Sequence, residues 1–513
     1  MTETPRAVSA NRDLIRLVVL LAAGLTAFHL WMAATGRSVN RAQHLGTAVE
    51  YARGHIDLMS PIVQGTNAND VPTPLDFPIW QGIVAVFMKL FGLWYGWGNV
   101  VALFFLLTSL WPVFDLTRRL FSERVAWWAM LFYLLQPLNF IVGGSASGDG
   151  AAWAFATWFI YLAYRMMGSG GWGWWAAAVV AGALSAVTKA PFFTVAGLTT
   201  FFWLVTEYRK STRAWLQLAT AGFISGAFFW AWNIHGHHCF EKAEFPLVNL
   251  DVMAGADVKN WYFGTLGFRL SPGNWIRFTL HVTTSVLGNF AFVALLLASL
   301  RLKGTRWMWL WLVAAVCSTL VFTPLIFGHE HYLFIFSPAV AVLCACAAEA
   351  FEPSLWTNLR AGPLTKFAVL AGFAVFSLAE GLQLDHLNLC FDRYFAEVGQ
   401  TIREHTAPGE RIVVWGASWG EPFLHAERDG LTGGFGFNGT AMLEDPRKLA
   451  RLKELGYTKV VLMNPPPLVV AMTEVSGTHS ERMVDLPKQL PAGAQNWAVV
   501  YKSPAVLIVD IPK

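Results

Sequence analysis

The sequence predicts a polytopic α-helical membrane protein of about eleven spans, with a small C-terminal α/β domain outside the membrane. Of the 513 residues, 55% are hydrophobic and 14% are charged, whereas soluble proteins usually carry about 25% charged residues. Apolar stretches of spanning length recur as far as residue 384, and strand-like and helix-like segments alternate from residue 385 onwards. We therefore expect a membrane domain over residues 1–384 and an extracytoplasmic domain over residues 385–513.

Long apolar segments predict the individual spans. The first follows Arg6, Arg12 and Arg16, and its length of about 20 residues favours a retained helix over a cleaved signal peptide. The predicted spans are 14–34, 97–117, 125–142, 151–167, 172–188, 191–206, 213–231, 279–300, 306–327, 331–350 and 366–384.

Basic residues orient these predicted helices. With the N-terminus inside, the segments 118–124, 207–213 and 301–306 become inner loops rich in Arg and Lys, as the positive-inside rule requires. Two long loops, 35–97 and 232–279, then lie outside together with the C-terminal domain. This arrangement predicts a multi-pass protein of the inner (plasma) membrane.

The first outer loop contains two predicted helices. Ala42, Leu45, Val49 and Ala52 form one apolar stripe, which is typical of a helix lying in the membrane interface. The apolar segment 77–90 is short for a span, and counting it as one would invert every later loop. We therefore expect a second helix on the outer membrane surface.

The C-terminal domain shows both kinds of regular structure. The pattern predicts an amphipathic helix followed by a turn over 395–410, a helix over 446–456, strands over 411–416 and 458–464, and a closing hairpin over 494–511. This alternation predicts a small α/β fold.

Three carboxylates lie close to predicted outer boundaries of the membrane. Asp57 follows the interfacial helix, Asp76 stands among prolines in PTPLDFPIW, and Asp149 precedes the fourth span. Ionised groups at membrane level are costly and usually have a partner or a function. A structural interpretation stays open, because Asp149 could cap the next helix and Asp76 could be a turn residue.

Cationic and polar residues occupy the same predicted side of the membrane. Lys189 lies between two spans in VTKAPFF, and His329, His331 and Tyr332 precede another span in GHEHY. Lys189 could instead reach towards lipid headgroups, and the histidines could be interfacial polar residues. Convergence on one side favours a shared site.

Four segments between residues 14 and 350 carry a resemblance: PLDFPIWQGIVAVFMKLFG, SASGDGAAWAFATWFIYLAYR, LSAVTKAPFF and HEHYLFIFSPAVAVL. In this order and predicted topology they resemble the GT-C type glycosyltransferases, in the branch of the lipid A aminoarabinose transferase and the protein O-mannosyltransferases. The resemblance implies an inverting enzyme that moves a sugar from a polyprenyl-phosphate carrier to an envelope lipid, glycan or protein on the outer face.

The resemblance also implies roles for the candidate residues. Lys189 and His331 would stabilise the developing phosphate charge, and Asp76 would take the proton from the attacking acceptor. Asp149 would orient a substrate or bind a divalent cation together with Asp76. No cofactor is otherwise implied. The predicted catalytic residues are Asp76, Asp149 and Asp57, and the predicted substrate-binding residues are Lys189, His329, His331 and Tyr332.

One position departs from the family pattern. The family usually has an Asp, often followed by Glu, after the first span, where this chain has Val39 and Asn40. The base has therefore moved, with Asp57 or Asp76 as candidates, or the acceptor needs no strong base, or the chain is inactive. The alternative function is a non-catalytic GT-C-like subunit that binds carrier lipid or scaffolds an envelope complex. A transporter is disfavoured because no internal repeat is visible.

Other motifs point to weaker hypotheses. WGASWG (415–420) has the outline of a hydrolase nucleophile elbow, but too few strands precede it. HGHHCFEKAE (235–244) has metal-ligand spacing, although a polar loop is the simpler interpretation. Cys239 and Cys390 both fall on the outer side, where a disulfide is permitted. No basic run interleaved with aromatic residues indicates nucleic-acid binding.

Overall fold

In a computed structural model, the chain forms two compact units. Unit 1 comprises residues 1–38, 99–231 and 263–385, and unit 2 comprises residues 39–98, 232–262 and 386–513. The structure describes residues 5–35, 42–142, 144–245, 262–288, 290–358, 372, 375–377, 379, 393–415, 421–432, 443, 445–463 and 494–512.

Helices make up most of the described chain. The first ten are α1 Pro5–Ala34, α2 Ala42–Arg53, α3 Ile79–Phe91, α4 Gly96–Leu120, α5 Glu123–Leu135, α6 Pro137–Val142, α7 Asp149–Ser169, α8 Trp172–Thr188, α9 Ala190–Glu207 and α10 Thr212–Phe240. The next six are α11 Leu266–Leu270, α12 Pro272–Val282, α13 Phe290–Ser299, α14 Arg306–Val321, α15 Thr323–Gly328 and α16 Ser337–Asn358. A π-helical turn spans Thr283–Leu287, and a 3₁₀ turn spans Glu330–Ile335.

The remaining elements lie in the C-terminal part of unit 2. The helices are α17 (393–405), α18 Glu421–Ala426 and α19 Pro446–Glu454. The strands are β1 Arg411–Trp415, β2 Gly430–Thr432, β3 Tyr457–Met463, β4 Val499–Lys502 and β5 Val506–Asp510.

Unit 1 is a helical bundle. Helix α7 packs against α8 and α9, helix α9 packs against α14, and α5 packs against α1 and α16. The close approach of α8 to its neighbours depends on Gly182, where a Cβ atom would come within 2.6 Å of Ser225 Oγ and 2.8 Å of the Phe159 ring. Small residues at such positions let helix backbones approach in a membrane protein.

Four of the described helices are long and apolar enough to cross a membrane, and a bent pair would make a fifth. The four are Leu14–Ala34, Gly96–Leu120, Ala190–Glu207 and Thr212–Phe240. Several predicted spans are shorter or broken as helices, so the number of eleven stays a prediction. The predicted span 366–384 falls almost wholly outside the described residues.

Two predicted spans are interrupted by proline-linked breaks. The span 125–142 divides at Gln136, which is extended with φ −65° and ψ 128° directly before Pro137. The span 306–327 divides at Phe322, two residues before Pro324. The residue before a proline is pushed out of the helical region, and a proline inside a helix removes a backbone hydrogen bond. Pairs of half-helices therefore replace the two straight helices.

Unit 2 contains a five-stranded sheet with the order β2-β1-β3-β5-β4. Strand β1 pairs in parallel with β2 and β3, and β5 pairs in antiparallel with β3 and β4. Side chains alternate between the two faces, so that Ile412 and Val414 pack under α17 while Val413 and Trp415 pack on the side of Leu452 in α19. The alternating strand and helix pattern predicted from the sequence is present.

Segments of the first long loop belong to the same unit as this sheet. Helices α2 and α3 pack against each other, and Gly65 forms a parallel bridge with Leu431 at the β2 edge. The Thr432 N–H and hydroxyl both donate to the Gly65 carbonyl, at 3.0 Å and 2.9 Å. The loop therefore extends the sheet by one backbone pairing.

Candidate functional site

The candidate site of unit 1 begins with the loop that precedes α7. The Asn99 side chain in α4 donates to the Gly144 carbonyl at 2.5 Å. Gly144 also lies against His29 of α1, because a Cβ atom there would fall within 1.8 Å of His29 Nδ1. Only glycine fits this close approach, so the loop is fixed against α1 and α4.

Asp149 is the first residue of α7, and its side chain is 2% exposed. Ser147 donates its hydroxyl to Asp149 Oδ2 and accepts the Asp149 N–H at 3.1 Å. A carboxylate in the first turn of a helix is stabilised by the helix dipole. The alternative prediction that Asp149 is the N-cap residue is wrong, because Gly148 occupies that position and Asp149 is the first residue of the helix itself.

Lys189 lies at the junction of α8 and α9. Its backbone is extended, with φ −152° and ψ 97°, and its N–H ends α8 by donating to the Ser185 carbonyl at 2.8 Å. Pro191 in the first turn of α9 favours this break. The Lys189 side chain is 12% exposed, and its Nζ lies 3.5 Å from Asp149 Oδ1. The cation predicted from VTKAPFF therefore forms an ion pair with the predicted carboxylate.

The 3₁₀ turn places His331 and Tyr332 at the same carboxylate. His331 Nε2 lies 3.7 Å from Asp149 Oδ1, and its side chain is 7% exposed. The Tyr332 ring lies 4.5 Å from the His331 ring, and Lys189 Nζ lies 5.8 Å from the Tyr332 ring centre. His329 is held to α15 through a 3.0 Å contact between Nδ1 and the Leu325 carbonyl.

Aromatic side chains support this polar cluster. Tyr332 packs on Phe192 of α9 with ring centres 5.4 Å apart, and Phe192 meets Trp153 of α7 at 5.5 Å. Trp153 stacks on Phe334 with an interplanar angle of 9°. These buried rings limit the movement of the 3₁₀ turn and of the helix that carries Asp149, so the polar groups are preorganised.

The cluster combines one buried carboxylate, one ammonium group and one imidazole. Lys189 balances Asp149, so protonation of His331 leaves one net positive charge. Such a site suits a phosphate or phosphodiester group. Among the described residues, no group of three or more His, Cys, Asp or Glu side chains is arranged to hold a metal ion, and Asp149 already has a lysine beside it.

The other two predicted catalytic carboxylates belong to unit 2. Asp57 is exposed, and its carboxylate accepts the Met59 N–H at 2.9 Å, which closes a turn. Asp76 is half-buried and lines a pocket between α2 and α3. Of the two candidates for the base, Asp76 has the environment of a binding site.

Sequence reasoning missed three polar residues. Ser147 hydrogen-bonds Asp149, and its position two residues before an acidic helix start was the signal that could have found it. His44 and Gln81 are buried in unit 2, 3% and 6% exposed, and line the Asp76 pocket. Their partnership depends on the packing of α2 on α3, which periodicity does not reveal.

The remaining motifs add no further site within the part of the chain that the structure describes. His237 and His238 each lie within 4 Å of Glu241, at 3.5 Å and 3.6 Å, on the exposed end of α10. Helix α10 thus continues to Phe240, beyond the predicted end of its span. Val39, Asn40, Cys390 and residues 416–420 lie outside the described residues.

Comparisons with known proteins agree with this architecture. The family model described as dolichyl-phosphate-mannose-protein mannosyltransferase matches residues 73–232. Comparison with curated protein sequences gives no match.

Solved structures with the same fold were also found. ArnT from Cupriavidus metallidurans bound to undecaprenyl phosphate superposes with a TM-score of 0.67 at 13% identity, covering 97% of this chain and 98% of that chain. The apo oligosaccharyltransferase from Archaeoglobus fulgidus gives a TM-score of 0.51 at 12% identity, with coverages of 95% and 73%. Mycobacterial arabinofuranosyltransferase AftD gives 0.53 at 14% identity, with coverages of 97% and 40%.

The class of protein follows from these matches. The chain has the GT-C glycosyltransferase fold, as the resemblance of the four sequence segments implied, and it is a membrane protein.

Proposed function

We propose that the chain is a membrane glycosyltransferase that moves a sugar from a polyprenyl-phosphate carrier to an envelope acceptor on the outer face. The observation that carries the proposal is the buried cluster of Asp149, Lys189 and His331 in a GT-C fold. The fold match includes a protein bound to undecaprenyl phosphate. A phosphate-binding cluster and a fold used with phosphate-linked lipids support the same substrate class.

The cluster of unit 1 provides the donor side of the reaction. Lys189 and His331 compensate the charge that develops on the phosphate oxygen as the carrier leaves. Asp149 holds the Lys189 ammonium group in position and keeps its charge from being isolated in the protein. The stacked rings of Trp153 and Phe334 keep these groups fixed before the donor arrives.

The transfer is a single displacement. A bond forms between the acceptor oxygen or nitrogen and the anomeric carbon, while the bond from that carbon to the phosphate oxygen breaks. Polyprenyl phosphate leaves with the electron pair, and the acceptor proton passes to a base, which we assign to Asp76. One displacement inverts the anomeric centre. General-base assistance of this kind contributes about 10²–10⁴-fold to the rate.

The first test compares envelope glycolipids and glycans by mass spectrometry. The strains are wild type, a deletion, and the deletion complemented with Asp149→Asn, Asp76→Asn or Asp57→Asn at matched protein levels. We expect one sugar modification to disappear in the deletion and to stay missing with Asp149→Asn and Asp76→Asn. Asp57→Asn is the matched control and should restore the modification, because Asp57 closes an exposed turn.

A second measurement separates the enzyme from a non-catalytic subunit. The purified chain is tested for binding of undecaprenyl phosphate by native mass spectrometry. Binding without any sugar change in the deletion strain would favour the carrier-binding or scaffold function suggested by Val39 and Asn40. If the chain does not bind undecaprenyl phosphate and the deletion changes no sugar, the proposed function is refuted.

A further inference from the structure

Three arginine side chains of unit 1 converge on one buried carboxylate. Asp115 lies near the end of α4, and its side chain is 2% exposed. Arg118 and Arg119 follow in the last turn of the same helix, 44% and 38% exposed, and Arg165 near the end of α7 is 23% exposed. Segment 118–124 is a predicted inner loop. We therefore expect this arginine cluster at the inner surface of the membrane.

Hydrogen bonds occupy both oxygens of the Asp115 carboxylate. Oδ1 accepts Nε and Nη2 of Arg118, at 3.2 Å and 2.5 Å. Oδ2 accepts Arg119 Nε at 2.5 Å and the Tyr161 hydroxyl at 2.8 Å. Arg165 Nη1 donates to the Tyr161 oxygen at 2.7 Å and lies 3.7 Å from Oδ2. A carboxylate has about four acceptor positions, so Asp115 holds the arginines together but is then fully used.

The arginine cluster keeps an excess of positive charge. Among the described residues, Asp115 is the only acidic side chain within 4 Å of the three guanidinium groups, so one negative charge faces three positive charges. Each guanidinium group has five N–H donors, and the bonds to Asp115 use two of Arg118 and one of Arg119. The remaining donors suit an oxyanion, because arginine binds phosphate groups through paired N–H donors.

Membrane orientation alone does not account for this arrangement. The positive-inside rule needs only basic residues in the inner loops, whereas burying the Asp115 carboxylate carries a desolvation cost. The buried carboxylate fixes three guanidinium groups side by side, at a distance from one another that free side chains would avoid by repulsion. Such preorganisation of like charges is typical of a binding site for an anion.

An exposed apolar stripe on α4 leads to the arginine cluster. Phe104, Trp111 and Arg118 recur every seven residues and therefore share one face of the helix. Phe104 is 59% exposed and Trp111 is 54% exposed. Trp111 precedes Arg118 by about 10 Å along the helix axis. A phospholipid on this face has its acyl chains against the two aromatic rings and its phosphate beside the arginines.

Helix α7 separates the arginine cluster from the Asp149 cluster. Asp149 is the first residue of α7, and Arg165 follows about 24 Å further along the axis. The hydrocarbon core of a bilayer is about 30 Å thick, so the two clusters lie near opposite surfaces of the membrane. A phosphate at the arginine cluster is therefore distinct from a phosphate at Asp149.

We propose that Arg118, Arg119 and Arg165 bind the phosphate of an anionic phospholipid in the inner leaflet. Basic sites between helices on the cytoplasmic side commonly bind such headgroups. Asp115 is the positioning residue, because it holds the guanidinium groups together without neutralising all of them. Trp174 fixes Arg165 further, since the guanidinium carbon lies 4.2 Å from its ring centre. This site is independent of the proposed transferase function.

The test uses purified full-length protein in detergent, titrated with phosphatidylglycerol or with phosphatidylcholine of the same acyl chains. Native mass spectrometry counts the bound lipids and gives their dissociation constants. We expect phosphatidylglycerol, which is anionic, to bind more tightly than phosphatidylcholine, which has no net charge. Arg118→Gln/Arg119→Gln should weaken phosphatidylglycerol binding by about 30-fold, the fold-change for a loss of about 1 kcal/mol per arginine.

Arg301→Gln/Lys303→Gln is the matched control, because it removes the same charge from two exposed residues of another predicted inner loop. Its phosphatidylglycerol binding should equal that of the wild type. An equal loss in both double variants would show attraction by overall charge and would overturn the proposal. Equal affinity of the wild type for the two lipids would overturn it as well.

Asp115→Asn separates a preorganised site from simple charge attraction. The change makes the cluster more positive, so charge alone predicts tighter phosphatidylglycerol binding. We expect weaker binding, because the arginines lose the carboxylate that holds them together. Tighter binding would refute the positioning role of Asp115. If Asp115→Asn does not fold, the two double variants still decide whether the arginines bind the lipid.

Two further ligands distinguish the possible sources of the phosphate. Inorganic phosphate should not displace phosphatidylglycerol, and displacement would identify a site for a soluble anion instead. Undecaprenyl phosphate should bind Arg118→Gln/Arg119→Gln as it binds the wild type, and a loss equal to that of phosphatidylglycerol would assign the cluster to the carrier lipid. A wild-type protein without sugar transfer would refute the proposed function and leave the phospholipid site standing.

Discussion

The Asp149 carboxylate lies beside two basic side chains, an ammonium group and an imidazole. Lys189 Nζ lies at 3.5 Å and His331 Nε2 at 3.7 Å, and the carboxylate itself is 2% exposed. Under the proposed function, a donor phosphate that enters this site would compete with Asp149 for the same ammonium group. The ion pair would then have two separable roles, because it would stabilise the fold without donor and Lys189 would supply the cation when the donor binds.

We expect Lys189→Met to lower both stability and carrier affinity. Removing one partner of a buried ion pair leaves the other charge uncompensated and costs about 3–5 kcal/mol. The thermal unfolding temperature and the binding of undecaprenyl phosphate, each measured in nanodiscs, report the two effects.

The double variant Asp149→Asn/Lys189→Met separates these effects. It removes both charges, so much of the lost stability should return while carrier binding stays weak. Lys189→Arg is the conservative control and should retain binding. Unchanged carrier binding in a folded Lys189→Met protein would show that Lys189 does not contact the phosphate.

For individual residues, the sequence predicted site members where a charged or polar side chain stood at a predicted membrane boundary. Asp149, Lys189 and His331 stood out because each is costly at a predicted membrane boundary, and the structure brings all three together. Ser147 and His44 did not stand out, because a serine in a glycine-rich loop and a histidine on an amphipathic helix are ordinary in sequence. Their roles depend on partners that the fold brings close.

Among the secondary-structure elements, an ion pair connects helix α19 to the loop that follows α10. Arg451 donates to both carboxylate oxygens of Glu244, at 2.7 Å and 2.8 Å. The neighbouring backbone is fixed as well, because the Ala68 N–H donates to the Glu244 carbonyl at 2.7 Å. The Arg451 guanidinium, by its hydrogen bonds to the carboxylate, holds the pKa of Glu244 below its usual value.

This shift predicts a pH-dependent contribution to stability. Because the pKa of Glu244 is lowered by folding, its contribution is present above the unfolded-state pKa and is lost as the pH falls through the folded-state value. Both side chains are partly exposed, at 33% and 44%, so screening by solvent keeps the effect at neutral pH small. Glu244→Gln should lower the unfolding temperature at pH 7, and the difference from wild type should shrink below pH 4.5, the ordinary pKa of a glutamate side chain.

Glu397→Gln, which alters an exposed glutamate of α17, serves as the control for general charge effects. A Glu244→Gln difference that stays constant between pH 7 and pH 4 would show that the ion pair is not its cause.

Several helix and strand positions followed from the sequence, and others did not. The breaks at Gln136 and Phe322 were signalled by the prolines that follow them, but continuous apolar character favoured straight spans. Strand β2 has three residues, Gly430–Thr432, too few to show an alternating pattern. Its conformation is set by pairing with β1 and by the bridge to Gly65.

The fold match indicates how the helices of the protein are arranged, and the basic loops indicate how the protein is oriented in the membrane. The GT-C architecture specifies how the helices are arranged, whereas the orientation in the membrane was predicted from the charge of the connecting segments. Segments 118–124, 207–213 and 301–306 carry that prediction. The outer-face reaction depends on it, because polyprenyl-linked sugars used outside require the site to open there.

Two exposed lysines provide a matched test of this orientation. Lys303 lies in a predicted inner loop, and Lys502 ends strand β4 in the predicted outer domain. Each is replaced by cysteine in a variant whose own five cysteines have been changed to serine or alanine. We expect a membrane-impermeant maleimide to label Lys502→Cys on intact spheroplasts, and to label Lys303→Cys only after permeabilisation. The reverse pattern would put the α/β domain in the cytoplasm and remove the basis for a reaction on the outer face, whereas the fold and the Asp149 cluster would stand.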